Sequence, residues 1–186
     1  MAQKLSGKRV AIVATDGFEQ AELSEPMKAL QEAGAKTEIV SVKSGQIQGW
    51  RHFDKADFFK VDKTVDQAKP EDYDALMLPG GVANPDQLRL SPKAIQFIKA
   101  FVDAKKPIAA ICHAAQVLAA AGVLEGKTCS AYPAVGPDVT RAGGTYVEVD
   151  MAEAVADGNL VTAPAWPAHP AWLAKFLAVL GTRIDP

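Results

Sequence analysis

The chain has 186 residues, 48% of them hydrophobic and 23% charged, with a formal net charge of −2. That length fills one core without demanding a second, so a single domain over residues 1–186 is expected, and the balanced charge leaves no electrostatic footprint for nucleic acid or an anionic membrane. Met1 to Lys8 lacks the apolar centre of a signal peptide and no stretch approaches the roughly 20 apolar residues of a membrane span, which points to a cytoplasmic chain without a membrane partner.

From Arg9 to Ala14 a continuous apolar run predicts a strand covered on both faces. Thr15-Asp16-Gly17-Phe18 is a turn at its carboxyl end. Glu22 to Ala33 then reads as a helix, with Leu23, Met27 and Leu30 at helical spacing and Gly34 as its stop. Thr37 to Val42 is the next strand, which completes a right-handed strand-helix-strand unit.

The segment Gln46 to Val61 breaks that rhythm. Ile47-Gln48-Gly49-Trp50 and Phe58-Phe59-Lys60-Val61 predict a small antiparallel excursion whose Trp50, Phe58 and Phe59 serve hairpin packing or a subunit contact. Asp74 to Leu78 is a third central strand and ends in Pro79-Gly80-Gly81, read either as a plain tight turn or as a place where backbone N–H groups approach a reacting atom. Val82 to Arg89 reads as a loop, made rigid and aimed outward by Pro85 and Pro92. Ser91-Pro92 then starts a helix that runs to Ala104.

Ile108 to Ile111 is a short buried strand and Ala114 to Ala121 is rich in helix formers, with no loop residues between them. Cys112 and His113 therefore sit in a sharp strand-to-helix turn, the geometry that lifts a nucleophile out of the top of a sheet. A thiol there meets the helix N-terminus, whose free N–H groups and positive dipole end favour a thiolate. Cys129, inside Thr128-Cys129-Ser130, reads instead as a small buried hydrophobe. Two cysteines point to reduced thiols, and no Cys or His cluster has zinc spacing, so neither a disulfide, a metal nor a cofactor is expected.

Beyond the elbow, Tyr132 to Asp138 reads as loop and Val139 to Ala142 as a short helix. Tyr146 to Val149, Ala154 to Asp157 and Leu160 to Thr162 read as strands, the last two joined by Asp157-Gly158-Asn159. A final helix near Pro170 to Leu180 carries Trp172, Phe176 and Leu180 on one face. The alternation predicts a doubly wound α/β sandwich with a mostly parallel central sheet and helices on both faces. In such a sheet the loops after the first, third and fourth strands converge at one edge, bringing Asp16 to Glu22, Gly80 to Asp86 and Cys112-His113 together.

The runs Asp16-Gly17-Phe18-Glu19-Gln20-Ala21-Glu22 with Pro26, Leu76-Met77-Leu78-Pro79-Gly80-Gly81, Ala110-Ile111-Cys112-His113-Ala114-Ala115-Gln116-Val117-Leu118 and Ser130-Ala131-Tyr132-Pro133 resemble the ThiJ/PfpI superfamily, from Val10 to about Leu180. The resemblance implies a flavodoxin-like sandwich of the class I glutamine amidotransferase type. It implies Cys112 as nucleophile, His113 as its neighbour, Glu22 bonding the sulfur, and N–H groups near Gly81 and His113 as an oxyanion hole. In the PfpI branch an acid after Gly-Gly-x-x-Pro orients the histidine of a neighbouring subunit, which here is Asp86 in place of glutamate and implies a homodimer or larger assembly. Tyr132 stands where the deglycase branch has a second histidine. The C-terminal Pro164-Ala165-Trp166-Pro167-Ala168-His169 replaces an Arg and Pro-x-Asp pattern, with His169 read as a surface histidine.

A Glu22 carboxyl helps a thiolate only if protonated, because the acid then donates a hydrogen bond. His113, adjacent to Cys112, is expected to point elsewhere and to act as a base toward substrate. The leading expectation is a stress-response cysteine hydrolase acting on a small-molecule or peptide carbonyl: a peptide, a dicarbonyl or a glycated amine. The alternative is a redox sensor or chaperone built on an oxidisable Cys112. A glutamine amidotransferase ranks last, since His169-Pro170-Ala171 lacks the glutamate that class needs.

Overall fold

Val10 to Val13 are fully buried because the strand that holds them is interior to a sheet covered on both faces. The computed structural model describes residues 5–181. Residues 1–4 of the expected leaderless start and residues 182–186 of the expected domain lie outside them.

The chain begins β1 (Arg9–Val13), β2 (Phe18–Glu19), α1 (Gln20–Glu32) and β3 (Lys36–Ser41). A hairpin of β4 (Gln46–Arg51) and β5 (Asp54–Lys60) follows, then β6 (Lys63–Thr64), β7 (Ala75–Leu78), α2 (Ala83–Leu88) and α3 (Pro92–Asp103). After β8 (Ile108–Ile111) come α4 (Ala115–Ala120), β9 (Thr128–Cys129), α5 (Gly136–Arg141) and β10 (Thr145–Tyr146). The chain closes with β11 (Val155–Asp157), β12 (Leu160–Ala163) and α6 (His169–Val179).

Seven strands form the central sheet in the order β11-β12-β8-β7-β1-β3-β6. Every pairing is parallel except β11 with β12, the hairpin at one edge. Alternate residues feed two cores, as the two-residue period of a strand requires. Ala11, Val13, Leu76, Leu78 and Ala110 pack under α3, α4 and α5, whereas Val10, Ile12, Met77, Ala109 and Ile111 pack under α1 and α6. This is the mostly parallel, two-faced α/β sandwich, and it explains why those strands read as unbroken apolar runs.

Two helix boundaries follow simple local chemistry. Ser91 accepts the Ala94 N–H at 3.2 Å and Pro92 fills the first position of α3, where no N–H is needed. Trp172 and Phe176 are fully buried and Leu180 is nearly so, all on the inner face of the C-terminal helical segment, and the Trp172 Nε1–H donates to the Val161 carbonyl at 3.3 Å.

Several local expectations are corrected. Val82 to Arg89 is not a loop but α2 with its flanking residues. Pro85 does not prevent this, because it sits in the first helical turn, whose N–H groups have no intrahelical acceptor. The strand expected over Tyr146 to Val149 is only Thr145–Tyr146, paired with Thr128–Cys129 in a separate two-stranded sheet. The short helix expected from Val139 begins at Gly136. The antiparallel excursion is present, and it pairs through β4 with the two-residue β2.

Candidate active site

Because β1, β7, β8 and β12 run parallel, their carboxyl ends open at one edge, where the site is assembled. Ile111 is still extended, at φ −134° and ψ 148°, but Cys112 turns to φ +61°. For a residue with a Cβ that left-handed conformation costs roughly 1–2 kcal/mol, so the fold around it must enforce the turn. A single 3-10 turn, Cys112–Ala114, leads into α4.

The Cys112 Sγ lies 3.2 Å from Nδ1 of His113. The two adjacent side chains thus fold together, in contrast to the expectation that they diverge, since the left-handed turn rotates the cysteine toward its neighbour. The His113 ring stacks on Tyr132 with centroids 4.8 Å apart, and the Tyr132 N–H donates to the Cys112 carbonyl at 3.2 Å. Burial holds His113 below the usual histidine value; the charge of Asp138, in the first turn of α5, opposes this without overcoming it.

Glu22 comes from α1 and is 1% exposed. Its Oε2 accepts the Gly80 N–H at 2.8 Å, and its carboxyl also hydrogen-bonds Cys112. Burial pushes Glu22 up to about 8, helped by the neighbouring charge of Glu19, so at pH 7 it mostly keeps its proton. Burial, followed by the charge of an ionised Glu22, pushes the Cys112 thiol up as well, while the N–H groups of Gly81 and His113 pull it down. Burial thus outweighs the helix end that would favour an acidic thiol. A protonated Glu22 removes the repulsion and offers an O–H to the sulfur, so when the thiol ionises the pair carries one negative charge rather than two. Burial beneath α4 and α5 likewise pushes Cys129 up, to about 11, and no carboxyl is hydrogen-bonded to its sulfur among the described residues.

Two glycines make this closeness possible. A Cβ on Gly80 would lie 2.6 Å from the Cys112 Cβ and 2.7 Å from Glu22 Oε2. Gly81, at φ +77°, has Gly17 and Glu19 backbone where a Cβ would be, and its N–H points at Cys112. Asn84, fully buried on α2, ties the loops together: Oδ1 accepts the Thr15 N–H at 2.7 Å and Nδ2 donates to the Pro79 and Gly80 carbonyls at 3.0 Å. Sequence reading gave Asn84 no role, because an Asn within a presumed loop signals a turn as readily as a clamp.

Cys112, His113 and Gly81 form the floor of a cleft of about 520 Å³. Phe53 from the hairpin tip, Tyr132, Met151 and Trp166 wall it, all with exposed faces. The sequence drew attention to other hairpin aromatics: Phe59 packs edge-on against Phe18 at 5.5 Å, Trp50 is half-buried and Phe58 is exposed. Which aromatic reaches the cleft depends on where the hairpin turns, a tertiary fact with no local signature. Asp86 is not gathered into this cleft; it sits exposed on α2 and pairs with Arg89 at 2.8 Å. His169 is not a surface residue: it is buried against Trp172, with Nδ1 3.0 Å from Oε2 of Glu25. Among the described residues no three His, Cys, Asp or Glu side chains form a group able to hold a metal ion, and no helix is long and apolar enough to cross a membrane.

Residues 8–179 match the DJ-1/PfpI family. The chain is 36% identical to protein DJ-1 homolog D of Arabidopsis thaliana over 98% of its own length, and spans about half (50%) of that relative. It is 38% identical to YraA of Bacillus subtilis, which bears a cysteine-protease name, with 83% of this chain and 88% of that one covered. It is 35% identical to deglycase PfpI of Pyrococcus furiosus, with 92% and 99% covered. Among solved structures, a two-domain protein of Anabaena variabilis with a DJ-1/ThiJ/PfpI-like domain superposes with a TM-score of 0.80 at 30% identity, over 94% of this chain and 47% of that one.

Proposed function

Since the chain belongs to the DJ-1/PfpI family, we propose that it is a cysteine-dependent hydrolase in which Cys112 attacks the carbonyl carbon of a peptide, a dicarbonyl or a glycated amine. One observation carries the reading: Cys112 is held at φ +61° on the floor of an open cleft, with His113 Nδ1 at 3.2 Å and the buried carboxyl of Glu22 against its sulfur.

In this mechanism the thiol proton passes to His113 Nδ1 and the sulfur forms a bond to the carbonyl carbon, whose π electrons move to oxygen. The Gly81 and His113 N–H groups, which point at the sulfur, are placed to receive that oxyanion. Glu22 keeps its proton and leaves room for one negative charge in the pocket. From a peptide the adduct expels its amine, which takes the proton back from His113, and water then hydrolyses the acyl–sulfur bond. A dicarbonyl, free or released from its glycated amine, has no leaving group: its hemithioacetal rearranges to a thioester as the hydrogen of the attacked carbon passes to the neighbouring carbonyl carbon, and water then releases the hydroxy acid. No metal or cofactor takes part.

The same reading includes a cytoplasmic protein that works as a homodimer or larger assembly. Exposed on α2, Asp86 supplies its carboxylate to His113 of a neighbouring subunit across an isologous contact. A fluorogenic peptide, methylglyoxal and a methylglyoxal-modified amine test the proposal. Turnover of at least one, abolished in Cys112→Ser, is expected; turnover that survives the substitution contradicts it. Should no substrate turn over while peroxide readily converts Cys112 to a sulfenic or sulfinic acid, the sensor reading takes its place.

A further inference from the structure

The cleft above Cys112 does not end at its walls. A second basin of about 490 Å³ adjoins it, and the two share Glu19, His52 and Trp166. The second basin runs over the outer face of α1 past Ser24 to Glu25. A two-basin groove is longer than a free dicarbonyl needs and suits a chain that lies across it.

Of the three residues that the two basins share, Glu19 is the acid. The Glu19 Oε2 accepts the His52 N–H at 3.0 Å, and among the described residues no lysine or arginine lies within salt-bridge distance of that carboxylate. Among the described residues no lysine or arginine lines the first basin. In the second, Arg51 is directed to Asp57 at 3.7 Å, whereas among the described residues Glu25 pairs with His169, which burial holds below the usual histidine value. Beside Glu19 stand two aromatic side chains with large exposed faces, Trp166 at 47% and Phe53 at 87%. A carboxylate flanked by aromatic faces is the surrounding that favours an ammonium or guanidinium group.

We propose that the junction of the two basins is a subsite for a cationic side chain, so that the preferred substrate is a polypeptide carrying lysine or arginine next to the reacting carbonyl. This rests on the hydrolase reading for the chemistry, though not for the binding. Glu19 provides the counter-charge and Trp166 the aromatic face; both act as specificity-determining residues and neither touches the reacting atoms.

Two blocked peptides that differ only in lysine against Nε-acetyl-lysine beside the reacting carbonyl separate the possibilities. The wild-type protein is expected to favour the lysine peptide in kcat/KM by about fivefold or more, with the preference weakening as salt rises. Glu19→Gln should bring the ratio close to one, and Trp166→Ala should lower it. Any effect of Glu19 on the Glu22 proton is common to both peptides and cancels in the ratio. Binding of the same peptides to Cys112→Ser, followed by calorimetry, should show the same preference without turnover. Equal handling of the two peptides by the wild-type protein, or a preference that Glu19→Gln leaves intact, would overturn the subsite. Turnover retained by Cys112→Ser would instead overturn the hydrolase reading, while the calorimetric preference still decides the subsite.

Discussion

The Glu22 Oε2 accepts the Gly80 N–H at 2.8 Å, which fixes a carboxyl from α1 beneath the turn that follows β7 and against Cys112. The acid is therefore buried by the same contact that positions it, and burial pushes it up to about 8 from an ordinary 4.5. Between those values the folded protein keeps a proton that the unfolded chain releases, so stability falls as pH rises. Urea unfolding from pH 4.5 to pH 8 should show that fall in the wild-type protein at up to roughly 1.4 kcal/mol per pH unit. Glu22→Gln should flatten it. Parallel pH profiles in the two proteins would mean that Glu22 ionises in the folded state as it does in water.

Asn84 holds three backbone groups from two loops and is fully buried. Asn84→Ala leaves those groups without partners, at a cost of roughly 3 kcal/mol, and should loosen the Thr15 and Gly80 loops so that Cys112 reactivity falls with stability. Chemical denaturation measures the first and thiol alkylation the second. A loss under about 0.5 kcal/mol, the range of a neutral surface change, would show that the clamp is dispensable.

Gly80 is required by what surrounds it. Gly80→Ala places a methyl group 2.6 Å from the Cys112 Cβ and should abolish specific alkylation of Cys112, with an overpacking cost of roughly 1–3 kcal/mol. Gly158→Ala is the comparison, because its φ of +58° is strained but nothing lies within 4 Å of an added Cβ. It should cost only about 1 kcal/mol and leave Cys112 untouched. Equal behaviour of the two variants would contradict the crowding at Gly80.

Asp86 offers a test of assembly. Inactive Asp86→Ala mixed with inactive Cys112→Ser should regain part of the activity, because a mixed pair contains one site with both groups intact. No regain, where subunit exchange is demonstrated independently, confines the site to one chain.

Much of the fold was legible because its signals are local. Unbroken apolar runs marked the buried strands, and Ser91-Pro92 marked the start of α3. The directness of the step from Ile111 to Ala114 marked the elbow. What escaped depends on contacts distant in sequence. Pro85 suggests a loop until it is seen to occupy a first helical turn, and the two-residue strands β2 and β6 exist only through their partners. The candidate site divides the same way. Glu22, Gly81, Cys112 and His113 stood out by motif and meet in space, whereas Glu19, Asn84, Phe53 and Trp166 acquire roles only from where the chain brings them. The positive end of a helix, read from sequence, overstated the acidity of Cys112, because the burial that opposes it leaves no mark in the local pattern.

Once the Cys112 thiol gives up its proton, a protonated Glu22 stabilises the thiolate, so the pair carries a single negative charge. Alkylation of the intact protein across pH, followed at each cysteine by mass spectrometry, tests it most directly in the wild type, Glu22→Gln and Glu22→Leu. Cys112 should react well before Cys129, and Glu22→Gln, which still donates a hydrogen bond, should preserve more of that reactivity at neutral pH than Glu22→Leu, which cannot. Equal rates at the two cysteines, or identical losses in the two Glu22 variants, would contradict this stabilisation of the thiolate.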